Sequence, residues 1–384
     1  NNTALGNSAL AVVYSSTGTG NVAVGDYVLD GNSTGSYNVG VGYNALTQNT
    51  TGANNIAVGR GTLDANTTGA GNVAVGDNAL TANTTANYNN AIGMSALAAN
   101  TTGANNIAIG YGALLVNTTG AQNVAIGRNA LDANTTASNN CAFGKDALSA
   151  NTTGTQNNGF GVNTLTATTT GEYNVAFGTN ALMSNTTADD NTAVGTNALM
   201  TNTTGAENTA VGRNAADAIT TGAANTAVGR NALTAATTGH GNTAVGEGAG
   251  NAVTDGQYNT LIGRQVGEGL TTGDSNILIG YNAGNTGNGD NQLYIARSNG
   301  GAGSAAQWIV GNSAGACTQG NNSSSWTTTS DERLKKNIVD NNKGLAEINQ
   351  LRVTNFEYKK EDEIDMSEFP LSNDHNQIFL WEGH

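Results

Sequence analysis

Apolar residues in this chain come in short alternating bursts. Ile56-Ala57-Val58 is typical: a branched residue, a small one and a branched one, then Gly59, then polar residues interrupted by Leu63. The burst recurs at a fixed interval of 17 residues, with its glycine at Gly25, Gly42, Gly59 and onward to Gly263 and Gly280. An earlier copy, Asn2-Thr3-Ala4-Leu5-Gly6, lies 19 residues before Gly25, a two-residue insertion. The unit reads N-x-A-V-G-x-N-A-L-x-x-N-T-T-G-x-x. An alternating run this short predicts a strand, not an amphipathic helix. The Asn, Gly and Thr between bursts mark turns. One or two short strands and two turns are expected in each unit.

A unit of this size cannot bury its own apolar face, so neighbours must stack. Stacked at strand spacing, about 4.8 Å, seventeen coils give a rod of roughly 80 Å. Each slot then lies above its own copy. The Asn four residues before the glycine, Asn21 through Asn276, and the Asn seven after it are expected to form side-chain amide ladders. The Val, Ile or Phe just before the glycine (Val58, Ile109, Phe160, Val211) and the Leu four after it (Leu46, Leu131, Leu199) are assigned to the core. The small Ala between the branched residues would form a face on which another chain can come close. Cys141 takes a branched-residue slot and is expected to be buried and inert. Arg60, Tyr111, Arg128, Lys145, Arg213 and Arg230 occupy variable slots and are expected to face outward.

Two sharper readings compete with this architectural one. The Asn-Thr-Thr slot matches the N-glycosylation sequon at Asn32, Asn49, Asn66, Asn83, Asn100, Asn117, Asn134, Asn151, Asn185 and Asn202. The repeat itself requires these residues, which explains them without glycans. Stacked threonines suggest ice binding, but adjacent Thr-Thr residues on a strand face opposite ways and make no flat two-rank array. The Gly- and Asp-rich pattern of calcium-binding β-rolls is absent.

Composition narrows the function classes. Charged residues make up 11% of the 384, less than half the usual quarter or so. The net charge of −14 argues against general nucleic-acid binding. No run is long and apolar enough to span a membrane as a helix. Cys141 and Cys317 lie too far apart to suggest a disulfide framework or a zinc site, and no cofactor or metal is expected. The chain opens on Asn1, inside a repeat, and is read as a piece of a longer one. Charge is also uneven: residues 330–384 hold 7 of the 14 basic and 12 of the 28 acidic residues. The organisation expected is repeats over 1–297, a Gly/Ser/Asn-rich neck over 298–329, and a module of ordinary composition over 330–384.

In that last module Ser330 is a good helix N-cap, with Asp331 and Glu332 in the first turn, where the helix dipole favours acids. Leu334 and Ile338, then Leu345, Ile348 and Leu351, mark two short helices, and 353–358 alternates like a strand. The fold class expected is therefore all-β, a stacked β-solenoid or β-roll, with a short α+β module at the C-terminal side.

Two resemblances add to this reading. The stretch Asn106 through Gly110 and its equivalents resemble the head repeats of trimeric autotransporter adhesins, a parallel β-roll assembled as a trimer, although the adhesin repeat is shorter than 17. Ser330, Asp331, Arg333, Leu334 and Lys335, continuing through Asn337-Ile338 and residues 351–358, resemble the start of the endosialidase-type intramolecular chaperone of phage tail spikes and fibres. Residues 330–384 would be about half of such a module. This second resemblance implies a trimerisation module that helps a β-fibre fold and then cuts itself off before the signature serine, at Thr329–Ser330. Ser330 and Lys335 would act as a dyad, with Asp331 and Arg333 in support. A lysine acting as base must be neutral, against a reference pKa of about 10.4, and burial in a trimer would lower it. Ser330 must also stand outside the helix proper, since residues five apart on a helix point about 140° apart.

Together these features imply a homotrimeric structural fibre, placed on a virion tail appendage or otherwise extracellular, that meets a host-surface receptor or glycan. The other reading is a bacterial surface adhesin or filament. The repeats show no paired-carboxylate site for glycan cleavage.

Overall fold

A computed structural model describes residues 1–11, 17–284, 288–297 and 307–319. All of them belong to one compact unit, Asn1–Trp326. The described residues are all-β and contain no helix. Each coil contributes a single three-residue strand, from β1 (Thr3–Leu5) and β2 (Val22–Val24) to β17 (Ile277–Ile279). These strands pair in parallel with no slip between slots: Ile56 meets Val73, Ala57 meets Ala74 and Val58 meets Val75. Strand β18 (Leu293–Ala296) continues the parallel ladder. Strands β19 (Gln307–Gly311) and β20 (Cys317–Gln319) then reverse direction as an antiparallel hairpin, so the Trp308-Ile309-Val310 island of the expected neck lies in a strand. The two helices and the strand expected over 330–358 lie outside the described residues.

The rest of each coil is a chain of tight turns. In one coil Asn44 (φ 57°) and Leu46 (φ 56°) are left-handed, as is Asn54 (φ 60°). Asn tolerates this conformation well. A leucine there costs about 1–2 kcal/mol, offset because the side chain is fully buried in the leucine stack. Gly59 has φ 136°, and a Cβ on it would lie 2.6 Å from the carbonyl oxygen of Gly76 in the next coil. Both the torsion and the contact therefore demand glycine in this slot, which explains its strict recurrence.

The core differs from the expected one in a specific way. The inward residue of most strands is the alanine: Ala57, Ala74 and Ala108 are fully buried beside the leucines. The branched residues flanking it point outward, with Ile56 and Val58 exposed at 41% and 36%. Val211, assigned to the core, is exposed, and Cys141 is only half buried. The alanines are not a face for a partner. The cause is width: where a leucine follows the glycine it fills the narrow interior behind the strand and leaves room for a methyl group, and where Leu261 and Leu278 take the strand slot, Gly250, Gly267 and Gly284 stand in place of that leucine.

Both asparagine ladders are present. In the first, Asn38 donates its backbone N–H to Oδ1 of Asn21 (2.9 Å) and its Nδ2 to the carbonyl of Gly52 (2.8 Å). This continues without interruption to Asn276, whose Oδ1 accepts from the backbone of Gln292 (2.8 Å). In the second, Nδ2 of Asn49 donates to Oδ1 of Asn32 (2.8 Å) and to the carbonyl of Gly52 (3.0 Å). Threonine closes the turn, with Oγ1 of Thr50 donating to the carbonyl of Thr67 (2.9 Å).

Candidate functional site

The residues singled out for chemistry, Ser330 and Lys335 with Asp331 and Arg333, lie outside the described residues, as does the Thr329–Ser330 bond. The structure neither brings them together nor separates them. What it does describe is the surface of the coils, and three parts of that surface bear on function.

The first is the sequon slot. Every sequon asparagine from Asn32 to Asn202 is buried, at 0–1% exposure. The Nδ2 atom that a glycan would need is occupied: in Asn66, for example, it donates to Asn49 Oδ1 (2.7 Å) and to the Gly69 carbonyl (3.0 Å). Modification would break the ladder and has no space, so in the folded coils these residues are architecture.

The second is the rank just after the glycine, where the outward placement of Arg60, Tyr111, Arg128, Lys145, Arg213 and Arg230 holds. Charges here pair from coil to coil. Arg60 grips Asp77 through two bonds (2.9 and 2.8 Å), and Arg128 reaches Asp146 of the next coil (4.0 Å), which its chain neighbour Lys145 also meets (3.0 Å). Glu247 sits between Arg230 and Arg264, and Arg264 lies over the Tyr281 ring, 5.6 Å from its centre. The guanidinium partners hold the Asp77 and Glu247 carboxyls below their usual range. These pairs are exposed and contribute little to stability. Nearby, a shallow depression is lined by Leu115, Val116, Asp132 and Asp146, where burial pushes the Asp132 carboxyl up. Among the described residues no group of three His, Cys, Asp or Glu side chains is placed to hold a metal ion.

The third is the outer face of the parallel sheet. Residues alternate across a strand, so the two outer positions of each coil, branched in most coils but Asn90, Cys141 and Asn158 in three of the first rank, share this face in two parallel ranks. One rank runs Val22, Val39, Ile56 and onward; the other runs Val24, Val41, Val58 and onward. Neither rank holds a charged residue between Thr3 and Ile279. At mid-length the second rank carries Phe143, Phe160 and Phe177, stacked with ring centres 6.5 and 5.8 Å apart. Phe143 and Phe177 remain 52% and 58% exposed. Sequence reasoning missed this face by assigning its residues to the core. A signal was present: a tightly packed interior slot does not accept Val-to-Phe changes in three consecutive coils without a compensating change nearby.

Comparison with known proteins bears on the other end of the chain. No curated protein and no solved structure matches it. Residues 330–373 match the family model described as chaperone of endosialidase, beginning at Ser330. The chain thus joins a β-solenoid of 17-residue coils to a segment similar to the endosialidase chaperones.

Proposed function

We propose that this chain is a structural fibre of a phage tail appendage: a solenoid rod, assembled as a homotrimer, that serves attachment to a host surface through a receptor or glycan. Its C-terminal segment acts as an intramolecular chaperone that cuts itself away. The observation that carries this reading is the order of the two parts, a long repetitive β-solenoid followed by a match to the endosialidase chaperone family. A parallel sheet built from non-local pairings folds slowly and exposes strand edges while it does so. A covalently attached folding aid answers that difficulty.

In the cleavage step, Ser330 Oγ attacks the Thr329 carbonyl carbon and gives its proton to a neutral Lys335 amine. The amide C–N bond breaks, with the proton passing to the leaving Ser330 nitrogen. Water hydrolyses the resulting ester, leaving a Thr329 carboxylate and a new N-terminus at Ser330. Asp331 and Arg333 hold the dyad in place.

A denaturing mass spectrum of the full-length gene product, wild type beside Ser330→Ala, tests this. Wild type should break at Thr329–Ser330 and the variant should stay whole. An uncut wild type would remove the autoprocessing chaperone and favour a surface adhesin or filament.

A further inference from the structure

The two-rank outer face of the sheet has the dimensions and chemistry of an interface, yet within one chain nothing covers it. Seventeen strands at about 4.8 Å, each roughly 10 Å long, give a face on the order of 800 Å². Its second rank, about half of that area, is apolar from Leu5 to Ile279, as large as the largest patch that a typical monomer exposes, which is often functional. Summed over two neighbours, the whole face matches what one partner buries in a standard specific interface, about 800 Å². We propose that this face is where copies of the chain meet: three copies turn their sheets toward a common axis, parallel and in axial register. The inference rests on the homotrimer named above and adds which surface builds it.

Three observations select another copy of this chain as the occupant. A partner must match a repeat of one strand spacing over the whole face, and a second copy does so by construction. The face has two ranks, which suits an arrangement with two neighbours: the first rank of one chain meets the second rank of the next, a heterologous contact that closes as a ring. The closed three-fold ring also fixes the direction, since its chains all point the same way, and the shared strand repeat sets them in register. In register, the Phe143, Phe160 and Phe177 layers of all copies also coincide, and their exposed rings form a desolvated aromatic centre of the kind that dominates interface energetics.

The test uses the full chain with Cys141→Ser and Cys317→Ser, carrying one new cysteine at a time. Val58→Cys places it on the sheet face, and Thr196→Cys places it in the rank after the glycine; both positions are exposed in the single chain. Native mass spectrometry gives the number of copies, and a maleimide reagent gives the labelling rate at each position. A trimer in which Val58→Cys reacts at least tenfold more slowly than Thr196→Cys supports the proposal. A trimer with equal rates overturns it while leaving the trimer intact. A monomer overturns the trimer itself, and this inference with it.

Discussion

Coils carrying Asn32 to Asn151 and coils carrying Ile219 to Leu270 fill the same interior slot in opposite ways. The first set stacks eight consecutive asparagines; the second places Ile219, Ala236, Val253 and Leu270 there, all buried. The backbone path is the same in both. An amide ladder and an apolar column are therefore interchangeable within this coil, provided each is continuous. The discontinuities show why. Asn151 is followed by Thr168, and Asn202 by Ile219; at these junctions Asn151 Oδ1, Thr168 Oγ1 and Asn202 Oδ1 are buried without a hydrogen-bond partner. Elsewhere each Oδ1 accepts from the amide of the coil that follows, so a ladder is unpaired where it stops. The outer face changes over nearly the same coils, its first rank passing from Val and Ile to Thr. Apolar character moves inward as the rod proceeds.

Breaking the polar half should have the largest effect. In Asn117→Leu, Asn100 Oδ1 loses its donor, while the Gly120 carbonyl keeps Asn106 Nδ2 and Asn134 Nδ2 keeps the Ala137 carbonyl; the unpaired oxygen costs about 1–3 kcal/mol and the larger side chain overpacks the slot at about 1–3 kcal/mol more. The same leucine in the apolar half, Ile219→Leu, should cost less than about 1.5 kcal/mol. Equal shifts in a urea titration would mean the ladder does not stabilise the coil. Leu131 sits in an unbroken leucine column, whereas Leu233 stands between Ala216 and Gly250, so Leu131→Ala and Leu233→Ala should each cost about 2–5 kcal/mol; a large disagreement would show that the two interiors pack differently. Thr168→Asn should heal the first junction by giving Asn151 Oδ1 a donor, raising stability by about 1 kcal/mol, read as a higher denaturation midpoint. The smallest effect concerns Asp132. Burial raises its carboxyl pKa, so the fold favours the protonated form. That contribution is present at low pH and is lost as pH rises from the unfolded carboxylate value through the raised folded one. Asp132→Asn should flatten this dependence and slightly raise the neutral-pH melting temperature; an unchanged pH profile would show that Asp132 is effectively solvated.

The sequence displayed much of this molecule. The interval of 17 set the coil, the invariant glycine marked a position where only glycine fits, and the recurring asparagines announced their ladders. It did not display which side of the strand faces in. Alternation in Ile56-Ala57-Val58 defines two faces and is silent about which one Leu63 has already filled, so the larger residues were assigned to the interior they could not enter. The sequon was ambiguous for a related reason: Asn-Thr-Thr looks the same whether its amide is free or locked between coils, and only the repeat favoured the second reading. The dyad proposed at Ser330 and Lys335 was legible only as a motif, and both residues lie outside the described ones; the family match spans residues 330–373.

The glycine slot and the two ladders tie each coil to the next at every position, and this constrains how the rod can change length. An insertion is tolerated where the columns stay aligned, as in the first coil, whose two extra residues still leave Thr3 opposite Val22; one placed in the strand, the glycine slot or a ladder would shift the side chains after it out of their columns. A whole unit of 17 can be gained or lost with every column intact. The molecule is in this sense a ruler with one graduation, about 4.8 Å, and unequal exchange between neighbouring repeats would lengthen or shorten it in whole graduations without any redesign of its interior.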